Sequence, residues 1–263
     1  MPPGTGWPED PAPAGTPVAR TAAGVARLAA RADLPALDAR VSVCAACPRL
    51  VAWREQVARE KRASYAAEPY WGRPVAGWGA TDPAILIVGL APAANGANRT
   101  GRIFTGDRSG DWLFASLHRT GLATRPTSVS AGDGQALIGA RMVAAVRCAP
   151  PDNKPLPVER TTCAPWLDRE LALVSGSVRA VVCLGSFGWD ATLRALATAG
   201  YDVPRPRPRF GHARELPLAS GDRSLTVIGS YHPSQHNTFT GRLTEEMMDA
   251  VFARAVELAG AAM

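Results

Sequence analysis

Residues 84–107 read AILIVGLAPAANGANRTGRIFTGD. The opening AILIV has no polar alternation, the pattern of a strand covered on both faces of a sheet. It runs straight into small, polar and glycine residues. Such a loop either only turns the chain or lets backbone and side chains lie very close to a ligand. Gly89, Gly96, Gly101 and Gly106 permit that close approach. The loop is not a GxxxxGK[ST] phosphate cradle, so ATP chemistry has no support.

Working outward, three further runs read as buried strands: RMVAAVRC (141–148), RAVVCLG (179–185) and SLTVIGSYHP (224–233). Helical stretches lie between them. One runs from Asp107 to a C-cap at Gly121, one over Val158–Val174, one over Phe187–Ala199, and one from Thr244 to the C-terminus. Alternating strands and helices predict an α/β fold, a three-layer α/β/α sandwich on a central four-stranded parallel sheet. Ligands gather at the carboxyl ends of such strands. The unusual residues fall there: residues 89–107, CAPPDNKP (148–155) and YHPSQHNTFTGR (231–242). TRPTSVSAGDGQ (124–135) and the basic PRPRPRFGHARE (204–215) read as surface excursions. The second could touch phosphate, but the favoured reading is an exposed loop with no partner.

The 263 residues are 46% hydrophobic, enough for one full core. The net charge is +6, with lysine only at Lys61 and Lys154. That balance suits a polyanion, although an arginine-rich genome composition would give it too. Residues 1–20 read as a disordered Pro/Gly-rich leader, and residues 21–263 as a single domain. The N-terminus lacks signal-peptide order and no run approaches a membrane span, so a cytoplasmic protein without membrane contact is expected.

Cys44 and Cys47 form a CxxC; Cys148 and Cys163 follow singly, and Cys183 reads as a small buried hydrophobe. In a reducing compartment the first four could be structural thiols, a redox pair, a zinc site or an iron–sulfur cluster. No strand precedes Cys44, against a thioredoxin-like motif, and a second zinc knuckle is missing. Four thiolates can hold an iron–sulfur cube; spacing leaves cluster and zinc both open. In the loops, Phe104 is a core anchor or a stacking platform, and Asp107 a helix N-cap or a working carboxylate. His232 is a structural histidine or a catalyst, and Asn153 can donate and accept at one edge of a heterocycle. Together these groups suit recognition of a flat base in nucleic acid.

In this order the motifs resemble the uracil-DNA glycosylase superfamily, and within it the type-5, iron–sulfur branch, from about Leu37 to the C-terminal helix. GLAPAANGANRTGRIFTGD is similar to that branch's first motif and YHPSQHNTFTGRLT to its last. The resemblance implies excision of uracil and other deaminated or etheno-modified bases from DNA, by a monomer acting on double strands. It implies a 4Fe-4S cluster on Cys44, Cys47, Cys148 and Cys163. It assigns water positioning to Asp107, hydrogen bonding of the developing base anion to His232, and the base edge to Asn153. Ala91, Pro92, Ala93, Asn98, Arg99, Phe104 and Ala144 become substrate-binding candidates. Ser234, Gln235, Asn237 and Phe239 become DNA-binding candidates. Type-4 relatives carry an acidic residue where this chain has Leu90, and relatives carry an Asn where it has Ala144, which implies a looser pocket. The covalently bonding branch has a basic, His-containing insertion that NRTGRIFTGD lacks. The rivals are a non-catalytic DNA-binding protein with a redox-sensing cluster, which would leave Asn153, His232 and Asp107 without a shared purpose, and a structural zinc protein.

Overall fold

A computed structural model describes residues 1–260. In chain order the helices are α1 (Ala22–Ala30), α2 (Leu34–Ser42), α3 (Pro48–Glu60), α4 (Ala97–Thr100), α5 (Arg108–Arg119), α6 (Pro157–Val174), α7 (Ser186–Thr198), α8 (Gln235–Phe239) and α9 (Glu245–Gly260). The strands are β1 (Trp78–Gly79), β2 (Ile85–Gly89), β3 (Ala140–Ala144), β4 (Ala180–Leu184), β5 (Glu215–Ser220) and β6 (Arg223–Ser230). None of the helices described is long and apolar enough to cross a membrane.

The sheet order is β1-β3-β2-β4-β6-β5. Its four central strands are parallel, paired β3 with β2, β2 with β4, and β4 with β6, as the sequence predicts. Alternate side chains of each strand feed opposite layers. Leu86, Val88, Val143, Val181 and Cys183 pack with Leu37, Trp166, Leu171 and Leu193 from α2, α6 and α7. Ile85, Ile87, Met142, Val182 and Ile228 pack with Leu113, Phe114, Val251 and Phe252 from α5 and α9. Both faces are covered, which is why these strands are largely apolar, with Arg141 of β3 buried against Glu170 and Asp38.

Two antiparallel edge strands extend the predicted sheet, β1 on β3 and β5 on β6. β5 carries Pro217 and is largely exposed; an edge is where a sheet tolerates a residue without an N–H. β3 is shorter than the apolar run that predicts it. Its pairing ends where β2 turns away at Gly89, and two more backbone bonds, Ala145 N to Gly89 O and Val146 N to Leu90 O at 2.9 Å each, carry the chain onward. Cys148 therefore lies past the strand.

The leader, expected from composition to be disordered, is seated on the domain. Trp7 packs against Trp71 with ring centroids 5.6 Å apart. Asp10 accepts from both terminal nitrogens of Arg73 at 2.8 and 2.9 Å. Glu9 accepts from Arg102 at 2.9 Å. Composition averages over the segment and misses that one indole and two carboxylates are placed to meet partners, two of them buried arginines.

Candidate active site

At the carboxyl edge of the sheet, a cavity of about 300 Å³ is lined by Leu90, Ala91, Pro92, Ala93, Ile103, Phe104, Asp107 and Ser109 from the first loop. Asn153 from the second loop and His232 and Ser234 from the third complete it. The three loops singled out in the sequence thus meet at one place.

The first loop is held by its own polar residues. Arg99 donates to Asn95 O at 2.9 Å and to Gly106 O at 2.8 Å, pairs with Glu68, and lies over the Tyr65 ring at 4.0 Å. Asn98 is fully buried and donates to the Arg54 and Ala94 carbonyls. Neither lines the cavity; the bonds they make brace the loop. Ala144 is buried at the end of β3, in the layer with Leu184 and Ile103, and also stays off the cavity wall. An arginine and an asparagine within a motif look like ligand contacts in sequence; only the fold shows that their donors go to backbone carbonyls and, for Arg99, to the Glu68 carboxylate.

Phe104 has φ 51°, a left-handed conformation that a bulky residue rarely adopts and that costs roughly 1–3 kcal/mol. It brings the ring down onto Gly89, where a Cβ would lie 2.5 Å from the ring. The ring centroid is 5.9 Å from that of His232. Asp107 caps α5, accepting from Gly110 N at 2.9 Å. Its other oxygen approaches Gly96 so closely that a Cβ there would sit 2.2 Å away. Burial raises the Asp107 carboxyl above its ordinary range, against the lowering effect of the Gly110 and Ser109 amides. The residue is both an N-cap and a cavity carboxylate, so the two sequence readings are compatible.

Burial also holds the His232 imidazole down to about 4, leaving it neutral near pH 7 with one ring N–H to donate. Its carbonyl accepts from Ser234 N and from Asn237 Nδ2, each at 2.8 Å. Asn237, a candidate for DNA, thus turns inward to fix the histidine. Ser234 caps α8, Gln235 is exposed, and Phe239 stands 64% exposed with Arg108 4.8 Å over its ring. Asn153 sits in a 3-10 turn with φ 55°, next to Asp152 at 54°; Asn and Asp are the residues that best tolerate that region. Arg49 of α3 clasps this turn, donating to Lys154 O at 3.1 Å and pairing with Glu159 at 2.8 Å. Leu90, Ile103 and Ser109 went unpredicted as lining residues. For Leu90 and Ile103 the only signal is their place inside the motif, and for Ser109 its adjacency to it.

Cys44, Cys47, Cys148 and Cys163 line a second, small cavity with Arg54, Arg147 and Trp166. All four are free thiols. Arg54 donates to Cys148 Sγ at 3.0 Å and Arg147 N to Cys163 Sγ at 3.3 Å. Burial raises the Cys44 and Cys163 thiols and pushes Cys47 up to about 12. Arg54 Nε, Arg147 Nη1 and Trp166 Nε1 are buried without a partner. Four thiols and orphaned donors around one cavity fit an anionic sulfur-rich group. Among the described residues, no three His, Cys, Asp or Glu side chains converge as they would on a single metal ion. Cys183 lies elsewhere, inside β4, donating to Thr192 at 3.3 Å.

Residues 76–256 match the model of the uracil DNA glycosylase superfamily. The chain belongs to the uracil-DNA glycosylase superfamily. It is 56% identical over 98% of its length to a type-5 uracil-DNA glycosylase of Mycobacterium bovis, covering 94% of that protein. It is 46% identical to the type-5 uracil-DNA glycosylase of Thermus thermophilus over 87% of the chain and 99% of that protein. For that of Pyrobaculum aerophilum the figures are 44%, 84% and 91%. Membership of this superfamily makes the chain a DNA glycosylase, and the resemblance carried by the first and last motifs is to the branch these relatives represent.

Proposed function

We propose that this glycosylase flips uracil out of double-stranded DNA into the first cavity and hydrolyses its N-glycosidic bond. The observation that carries this reading is the convergence of Phe104, Asp107, Asn153 and His232 on one cavity large enough for a base. Flipping costs a few kcal/mol, least for a mispaired base. Phe104 stacks on the extruded ring, while Asn153 and the backbone around Ala91, Pro92 and Ala93 face its edge. As the bond breaks, the sugar gains oxocarbenium character and the base becomes anionic. Neutral His232 donates a hydrogen bond to the base oxygen where that charge develops, a type of contact worth roughly 3–4 kcal/mol. The Asp107 carboxylate stabilises the cationic sugar and orients water toward it. Phe239, with Ser234 and Gln235 nearby, fills the gap in the duplex.

No side chain of β3 lines the cavity, which supports acceptance of hypoxanthine, xanthine and ethenocytosine besides uracil. Cys44, Cys47, Cys148 and Cys163 would hold a 4Fe-4S cluster. When bound it supplies covalent cross-linking of α3 to α6 and the second loop, with no redox step in excision. Arg49 then transmits that anchoring to the turn carrying Asn153. The enzyme works as a cytoplasmic monomer at the first step of base excision repair.

Purified protein incubated with a labelled duplex bearing one uracil, then treated with alkali, should give strand cleavage at that site alone. An intact strand after incubation with folded protein would overturn the reading. Hypoxanthine and ethenocytosine duplexes then test the wider substrate range.

A further inference from the structure

The basic loop at 204–209 was the motif that the active site left unused. It is not a free excursion. Trp189 of α7 donates its indole N–H to Pro208 O at 2.8 Å. Phe210 packs edge-on against Trp189 and near Tyr231, with centroids 6.3 and 6.1 Å apart. His212 stacks on Tyr231 at 4.9 Å and accepts from its backbone N–H at 3.1 Å. Tyr231 immediately precedes His232, so the loop is fastened to the strand end that carries the catalytic histidine.

This tethering sets Arg207 at the mouth of another cavity, of about 300 Å³, shared with Arg160 of α6 and Arg194 of α7. The Arg160 guanidinium lies 4.6 Å over the Phe187 ring, which holds it in place. Asp190 also lines the cavity, and Arg194 is matched by Asp168 at 3.0 Å. Arg160 and Arg207, with Arg205 and Arg209 beside them, form no ion pair among the described residues. The floor is Ala145 and Val146, whose N–H groups bond to Gly89 and Leu90; Leu90 is a wall of the base cavity. The two cavities therefore adjoin across one stretch of backbone.

We propose that this second cavity is a phosphodiester-binding subsite, in which Arg160 and Arg207 grip the DNA backbone next to the flipped nucleotide. The proposal rests on the glycosylase reading for the identity of its ligand. Guanidinium forks match phosphate oxygens in geometry as well as charge. A rigid stack and a tethered loop reduce the ordering entropy lost on contact.

The test is fluorescence anisotropy of a short, labelled, undamaged duplex across a salt series. Arg160→Gln/Arg207→Gln should weaken binding and flatten the log K against log salt slope by about 2, one unit per lost phosphate contact. Arg179→Gln, at the opposite edge of the sheet, removes one charge and should leave the slope unchanged. Arg160→Lys/Arg207→Lys should restore most of the slope. A Gln double variant with the parental slope would overturn the subsite, as would a Lys double variant that fails to recover. A fall in slope for Arg179→Gln of one unit would also overturn it, by showing general charge alone. Because the duplex is undamaged, these readouts are independent of whether the unsubstituted protein excises uracil.

Discussion

At the level of single residues, the cavity holds two titratable groups whose pKa values the fold shifts from their ordinary range. Asp107 caps α5 and is half-buried at the cavity wall. Since burial raises its folded-state pKa, the unfolded chain gives up that proton at lower pH. The ionised group is therefore a stability penalty at neutral pH and none in acid. Asp107→Asn keeps a good N-cap and removes the penalty. Turnover on a uracil duplex should fall by about 10²–10⁴-fold, while the melting temperature at neutral pH holds or rises; a large drop in melting would refute this account. His232 has the opposite linkage. With its folded pKa lowered from 6.5 to about 4, the unfolded chain takes up the proton first as pH falls through that window. Folding stability at this group declines between those values and is unaffected above them. His232→Ala should lose about 10²–10³-fold in turnover with near-parental DNA affinity. Its stability should decline less steeply over the same acid window, which denaturant melts at a series of pH values would reveal.

Between elements, the cysteine cavity joins segments that are otherwise linked by Arg49 through Glu159 and Lys154. Cys44 lies in the turn between α2 and α3, Cys47 at the N-cap of α3, Cys148 beyond β3, and Cys163 within α6. The opposite side of the Val146 segment faces the arginine cavity, so Val146 lines both. On the cluster proposed above, Cys148→Ser should lose iron and lower the melting temperature before it alters chemistry. Iron assay and calorimetry on the purified variant would check this. A variant that keeps its iron and its stability while losing activity would refute the structural role. Much of this was readable beforehand: the four strands, four helices and the cysteine grouping follow from apolar runs and spacing. The edge strands were not, because two-residue β1 and the exposed, proline-bearing β5 carry no periodic signal strong enough to separate them from loop.

For the molecule as a whole, the leader makes the domain larger than its repeat of strands and helices. Burial opposes the charge of Asp10, but hydrogen bonds from Arg73 and the Ala12 amide outweigh it and hold the carboxyl below its ordinary range. That contribution is present above the ordinary aspartate value and is lost as pH falls through the lowered one. Arg102, buried on the first loop, is shared between Glu9 and Asp133. A chain lacking residues 1–12 should melt several degrees lower, at roughly 2–4 °C per kcal/mol for a domain of this size. The loss should diminish in strong acid, where the paired carboxylates are neutral. An unchanged melting temperature would show that the leader is only draped on the surface.

The sequence alone determined the layered α/β architecture, because residues 84–90 and their counterparts must be buried on both faces wherever they lie. It also determined which three loops share an edge, since parallel strands all end on the same side. Tertiary structure decided the rest by choosing partners. Arg99 and Asn98 carry the same donors as a ligand contact, yet backbone carbonyls and the Glu68 carboxylate claim them. Asn237 turns to the backbone of His232, and Arg207 faces a cavity because Trp189 holds Pro208. A polar side chain's type states what it can bond; only the packed chain fixes which partner is within reach, and an unmet buried donor carries a cost that most of the fold avoids.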